Sequence, residues 1–135
     1  MMRRSSAMIA LALLAAACAP SADKSETDIK ALMKAQFEKP NAPLTVDPIA
    51  VEGAFAVADW TQGSAGGRAL LQKGAKGWLL VLCGGESLRT VQGLMRLGVP
   101  DDQAAAIAKE LAREEKSVSA GRLAAMARFS GEVRM

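Results

Sequence analysis

The stretch that decides the fold runs from Ala54 to Gly85. It reads Ala54-Phe-Ala-Val-Ala-Asp-Trp60, a glycine-rich segment, Ala69-Leu-Leu-Gln-Lys73, a second turn, then Trp78-Leu-Leu-Val-Leu-Cys83-Gly-Gly85. Three strand-forming runs separated by Gly-containing turns predict consecutive antiparallel strands. In the first, Ala54, Ala56, Ala58 and Trp60 share one face and Phe55, Val57 and Asp59 the other, because side chains alternate along a strand. The row of small side chains lets a helix approach closely, and that face is assigned to the helix that precedes the sheet. Gln62-Gly-Ser-Ala-Gly-Gly67 reads as a flexible hairpin turn. It is no phosphate loop, since no Gly-Lys-Ser/Thr follows and no helix starts there. Gly74-Ala-Lys-Gly77 closes a tight hairpin. Trp78 to Cys83 is apolar throughout, which predicts a central strand with both faces covered.

The flanking segments supply those covers. Ile29, Leu32, Met33 and Phe37 make one apolar stripe of a helix over Glu26 to Lys39, with Ser25 and Asp28 as a near capping box and Pro40 as the stop. Leu44 to Glu52 reads as a strand that Pro48 confines to a sheet edge. Downstream, Ser87 is placed to cap a helix Leu88 to Leu97 with a buried stripe of Leu88, Val91, Leu94 and Met95. Asp101 is placed to cap a second helix, to Lys116, that turns Ala104, Ile107, Ala108 and Leu111 inward. A last helix, Gly121 to Arg128, groups Leu123, Met126 and Ala127, and Gly131 to Met135 is a final strand or tail. The expected fold class is α+β. One N-terminal helix packs on an antiparallel meander of three to four strands, followed by two or three C-terminal helices. A helix lying in a curved sheet resembles cystatin-like and nuclear-transport-factor-like arrangements.

Residues 1–22 read as an export signal. Arg3 and Arg4 lead an apolar run, Ala7 to Ala17, too short for the about 20 residues that span a bilayer. Residues 23–135 are left as a single α+β domain. The run ends Leu14-Ala-Ala-Ala17-Cys18, which resembles the lipobox of bacterial lipoproteins, with Ala15 where Leu is more usual. Lipidation at Cys18 and cleavage by an ordinary signal peptidase both stay open; the first implies a lipid anchor in a bacterial membrane. If Cys18 is acylated, Cys83 has no partner for an intramolecular disulfide. Without Arg3 and Arg4, the 17 basic side chains fall to 15 against 14 acidic ones. Near neutrality with no Lys/Arg cluster argues against nucleic acid as a partner.

Composition also restricts the chemistry. The chain has no His, which removes Ser-His and Cys-His nucleophile pairs and the commonest metal ligand. No paired carboxylates stand at a plausible site, so an enzyme is the least expected class. Cys83 ends a strand ahead of a helix N-terminus, where a thiolate is favoured. It also follows five apolar residues, which favours packing. The thioethers beyond the signal are Met33, Met95, Met126 and Met135; the first three fall on core stripes and Met135 looks free. Cys83 and Met135 are therefore the metal-ligand candidates, for a soft cation such as copper(I). Asp59 is expected to pair with Arg68 on the next strand. Asp59, Arg68, Trp60 and Trp78 are given structural roles.

Seven ordered segments carry a wider resemblance: Phe37-Glu-Lys-Pro40, Leu44-Thr-Val-Asp-Pro48, Asp59-Trp-Thr-Gln-Gly63, Gly66-Gly-Arg-Ala-Leu-Leu71, Trp78 through Leu82-Cys83-Gly-Gly85, Gly98-Val-Pro100 and Gly131-Glu-Val-Arg-Met135. Together they resemble a family of small exported bacterial proteins labelled copper uptake system-associated protein. The resemblance implies a non-enzymatic accessory protein of the cell envelope, periplasmic, with copper(I) as possible ligand and a copper-transport membrane protein as partner. It carries no ligand set onto particular residues. The alternative expectation is a lipid-anchored small-ligand or protein-interaction module unrelated to copper.

Overall fold

The computed structural model describes residues 22–135, which build an α+β fold: a five-stranded antiparallel sheet and four helices. In chain order these are α1 (Ala22–Phe37), β1 (Thr45–Glu52), β2 (Phe55–Gln62), β3 (Ala65–Gly74), β4 (Gly77–Gly84), a 3-10 turn (Glu86–Arg89), α2 (Val91–Arg96), α3 (Asp101–Glu114), a second 3-10 turn (Glu115–Ser117), α4 (Ala120–Ala127) and β5 (Glu132–Arg134). Strand order in the sheet follows the sequence; β1 to β4 are joined by tight turns, and β5 returns to β4 only after α2, α3 and α4. The expected signal segment, Cys18 included, lies outside the described residues except for Ala22. No helix among the described residues is long and apolar enough to cross a membrane.

The sheet is buried on both faces. On one, Ile29 and Met33 of α1 pack with Val46, Ile49, Ala56, Ala58, Ala69 and Leu71. On the other, Val57, Leu70 and Leu82 pack with Leu94, Ile107 and Leu111 of α2 and α3. The period of two along β2 does this sorting, sending Ala56 and Ala58 to α1 and Val57 to α3. Each fully buried Leu or Ile contributes about 2 kcal/mol of hydrophobic stabilisation. Pro48 sits on the outer strand β1, at a register irregularity between Val46 and Ile49, where its missing N–H leaves no gap in an interior ladder.

The middle strand is β3, not β4. Strand β5 pairs only with Leu82 to Gly84, so the first half of β4 is a sheet edge and Leu79 is 62% exposed. Five strands form where three to four are expected, because Glu132 to Arg134 adds to β4. The glycines read as turn are mostly strand: β2 and β3 are joined at Gly63-Ser64, and Gly66 and Gly67 lie inside β3. Packing explains them. A Cβ on Gly66 would stand 2.9 Å from the Ala125 carbonyl carbon and the Met126 nitrogen of α4, and one on Gly67 2.9 Å from the Phe129 ring.

Helix ends also move. Helix α1 starts ahead of Ser25, which is buried within it rather than capping it. The expected helix Leu88 to Leu97 is split: Thr90, not Ser87, caps α2, its hydroxyl accepting from the Gly93 N–H at 3.1 Å. Val91 and Met95 consequently face water. Asp101 is the first residue of α3, after Pro100, and α3 gives way to a 3-10 turn at Glu115.

The Gly66 contact is testable by urea unfolding. Gly66→Ala drives a methyl into helix backbone and is expected to cost about 1–3 kcal/mol. Gly121→Ala, within α4 with nothing inside 4 Å of the added carbon, is expected to stabilise by about 0.4–1 kcal/mol.

Candidate functional site

Two side-chain constellations stand out, one on each side of the sheet. On the α1 side, Cys83 lines a cavity of about 80 Å³ together with Met33, Phe37, Leu44, Trp60 and Gln62. A bulge in β4 places it there. The β3–β4 register shifts between Leu70 and Leu71, so Val81 and Leu82 both pack toward α2 and α3 while Cys83 packs toward α1. Cys83 therefore does not share a face with Val81, as strict alternation implies. The Gln62 amide is engaged, donating to the Phe37 and Ala42 carbonyls at 2.9 and 2.8 Å, which leaves the rest of the lining apolar or sulfur-bearing. Burial pushes the Cys83 thiol up, with the Trp60 indole N–H opposing. Of the two readings of Cys83, packing and a thiolate beside a helix N-terminus, the burial agrees with packing: the free group is a buried thiol.

Met33, read as core, is the thioether that shares this cavity, at 1% exposure. Met135 does not line it. Its N–H donates to the Val81 carbonyl at 3.1 Å and its side chain is half exposed. Trp60 meets Phe129 edge to face, with centroids 6.1 Å apart. Trp78 is buried on the same side, with Lys73 Nζ 6.0 Å from its ring. The Trp78 indole N–H has no hydrogen-bond partner among the described residues. Among those residues, no group of three or more His, Cys, Asp or Glu side chains could hold a metal ion.

The second constellation is a buried charge cluster centred on Arg68. Asp59 and Arg68 lie directly opposite on β2 and β3, with Asp59 Oδ1 3.4 Å from Arg68 Nε. The partner in charge is another residue, Glu115, whose Oε1 accepts from Arg68 Nε and Nη2 at 3.0 and 2.8 Å. Asp59, Arg68 and Glu115 are all at least 95% buried. Burial, then the hydrogen bond and charge of Glu115, push the Asp59 carboxyl up to about 9 against the pull of Arg68 and Arg122. Burial would raise Glu115 too, but the hydrogen bond with Asp59 and the Arg68 and Arg89 guanidiniums hold it below its usual range. Near neutrality Asp59 keeps its proton, so Glu115 is the carboxylate that balances Arg68.

This pair of carboxyls was not visible in the sequence, where Glu115 follows a run of solvated helix residues. The only signal was Asp59 itself, an acid among apolar strand residues. The 3-10 turn that ends α3 turns Glu115 inward. Comparison of the chain with protein-family models, with curated proteins and with solved structures found no match in any of them.

The proton on Asp59 has a pH signature. An acid whose pKa rises on folding contributes stability that is complete below its unfolded value of 3.8 and lost as pH climbs through about 9. Asp59→Asn matches the shape of the protonated acid and does not titrate. The wild type is expected to lose stability relative to this variant by up to about 1.4 kcal/mol per pH unit across that window, read from urea midpoints between about pH 5 and pH 9. Glu115→Gln strands a buried guanidinium and is expected to cost about 3–5 kcal/mol.

Proposed function

We propose that this chain is a non-enzymatic accessory protein of the bacterial cell envelope, associated with copper uptake, that holds copper(I) in the cavity beneath α1. The observation that carries the reading is the meeting of Cys83 and Met33 in one small apolar cavity. A thiolate and a thioether are the donors that soft copper(I) selects. The surrounding aliphatic and aromatic walls exclude water and hard competing ligands. Cys83 and Met33 are the residues that would hold the ion, and Trp60 closes the cavity beside the sulfur. Met135 is set aside as a ligand in this reading. In the same reading the chain is exported on its first 22 residues, anchored through a lipid on Cys18, and serves a copper-transport membrane protein from the periplasmic side.

Copper(I) here is cargo, and its entry displaces the Cys83 proton. Apparent affinity is therefore expected to rise about tenfold per pH unit while the thiol stays protonated. The test is a copper(I) titration of the purified protein against a chromophoric competing chelator. Stoichiometric binding is expected, weakened at least about tenfold in Cys83→Ala and measurably in the volume-conserving Met33→Leu. Equal competition by wild type and Cys83→Ala would overturn the reading.

A further inference from the structure

We propose that the groove on the opposite side of the sheet, between the first 3-10 turn, the α3–α4 connection and α4, binds a small organic carboxylate through Arg68, Arg89 and Lys116. The groove encloses about 450 Å³, and these three cations line it over apolar ground from Leu123 and Ala127. Arg68 is its deepest element, 1% exposed. Its Nε and Nη2 are occupied by Glu115, but Nη1 is buried with no hydrogen-bond partner among the described residues. A guanidinium offers five N–H donors in a rigid fork that fits a carboxylate. One prong of the Arg68 fork, Nη1, is therefore left without a hydrogen bond beneath Glu86, where Arg68 lines the groove.

Glu86 shows where an anion sits. Its Oε1 lies 3.5 Å from Arg68 Nη1, too long for a good hydrogen bond, and its Oε2 lies 3.3 Å from Arg89 Nη1. The side chain is 59% exposed, so it can swing into water at little cost. An external carboxylate would then take the position between the two guanidiniums and reach Nη1 more closely. The charges favour this exchange. With Asp59 protonated, Arg68, Arg89 and Lys116 face only Glu86 and Glu115, so displacing Glu86 leaves the site electropositive. The apolar ground selects an anion that carries a small hydrocarbon body over a bare inorganic one. None of these residues borders the Cys83 cavity, so the inference stands apart from the copper reading.

The experiment is a titration of the isotope-labelled protein with butyrate, followed by backbone amide NMR at Arg89, Lys116 and Ala124, with butyramide and inorganic phosphate in parallel. Saturable shifts confined to the groove are expected with butyrate, none with butyramide, and weaker binding with phosphate. Glu86→Gln removes the internal competitor and is expected to tighten butyrate about fivefold. Arg89→Gln combined with Lys116→Gln is expected to weaken it about tenfold. All three positions are exposed, so these variants keep the fold. Equal shifts from butyramide, tighter binding of phosphate than of butyrate, or weaker butyrate binding in Glu86→Gln would each sink the proposal.

Discussion

Arg68 puts a permanent charge inside the middle strand of the sheet, and much of the molecule is arranged around neutralising it. A guanidinium in a protein stays protonated, so it must be paired or left at high cost. Glu115 supplies the charge, from the turn that closes α3, and Asp59 on the neighbouring strand, facing Arg68 at 3.4 Å, stays protonated beside it. Glu86 reaches in from the turn after β4. Four segments distant in sequence are thereby held at one point. Hydrophobic packing alone would tolerate sliding of α3 over the sheet; a buried, hydrogen-bonded charge does not. That specificity is bought with desolvation.

Small residues set the other constraint, which is distance. Ala56, Ala58 and Ala69 let α1 lie close on one side of the sheet. Gly66 lets α4 lie against the β3 backbone, and Gly67 and Gly85 make room for Phe129. Arg122 then ties α4 to β2 and β1, donating to the Thr61 hydroxyl at 3.0 Å and the Asp47 carbonyl at 2.8 Å. With five aromatic residues in the chain, the core is filled by aliphatic side chains and by backbone approaching backbone. The cavity beside Cys83 lies where the large Trp60 and Phe37 meet this otherwise small-residue layer.

The two candidate sites have opposite chemistry because they lie on opposite sides of one sheet. The α1 side offers sulfur and hydrocarbon, where a soft cation gains and a proton is retained. The α3–α4 side offers guanidinium and ammonium groups around a carboxyl pair, where an anion gains. Alternation along β2 and β3 makes this separation: Trp60 points to one site while Asp59, its neighbour, points to the other.

The α+β class, the succession of strands in the meander, the edge position of Pro48 and the apolar stripe of α1 were legible in the sequence, since each follows from a local period or from a missing N–H. The facing of Asp59 and Arg68 across a hairpin was legible for the same reason. Glu115 was not, because nothing local distinguishes an acid that turns inward from the solvated Glu114 before it. Nor was the role of Gly66 and Gly67, since a glycine needed for a turn and one needed for a passing helix look alike in a string of letters. Met33 read correctly as core, yet its proximity to Cys83 depended on a one-residue bulge in β4. The sequence by itself determined the order of most helices and strands and the buried faces of α1 and β2, through periodicity and the cost of exposing apolar surface. Only the tertiary structure decided which buried groups meet, because those contacts join residues far apart in the chain and depend on register, bulges and close approach that no local pattern records.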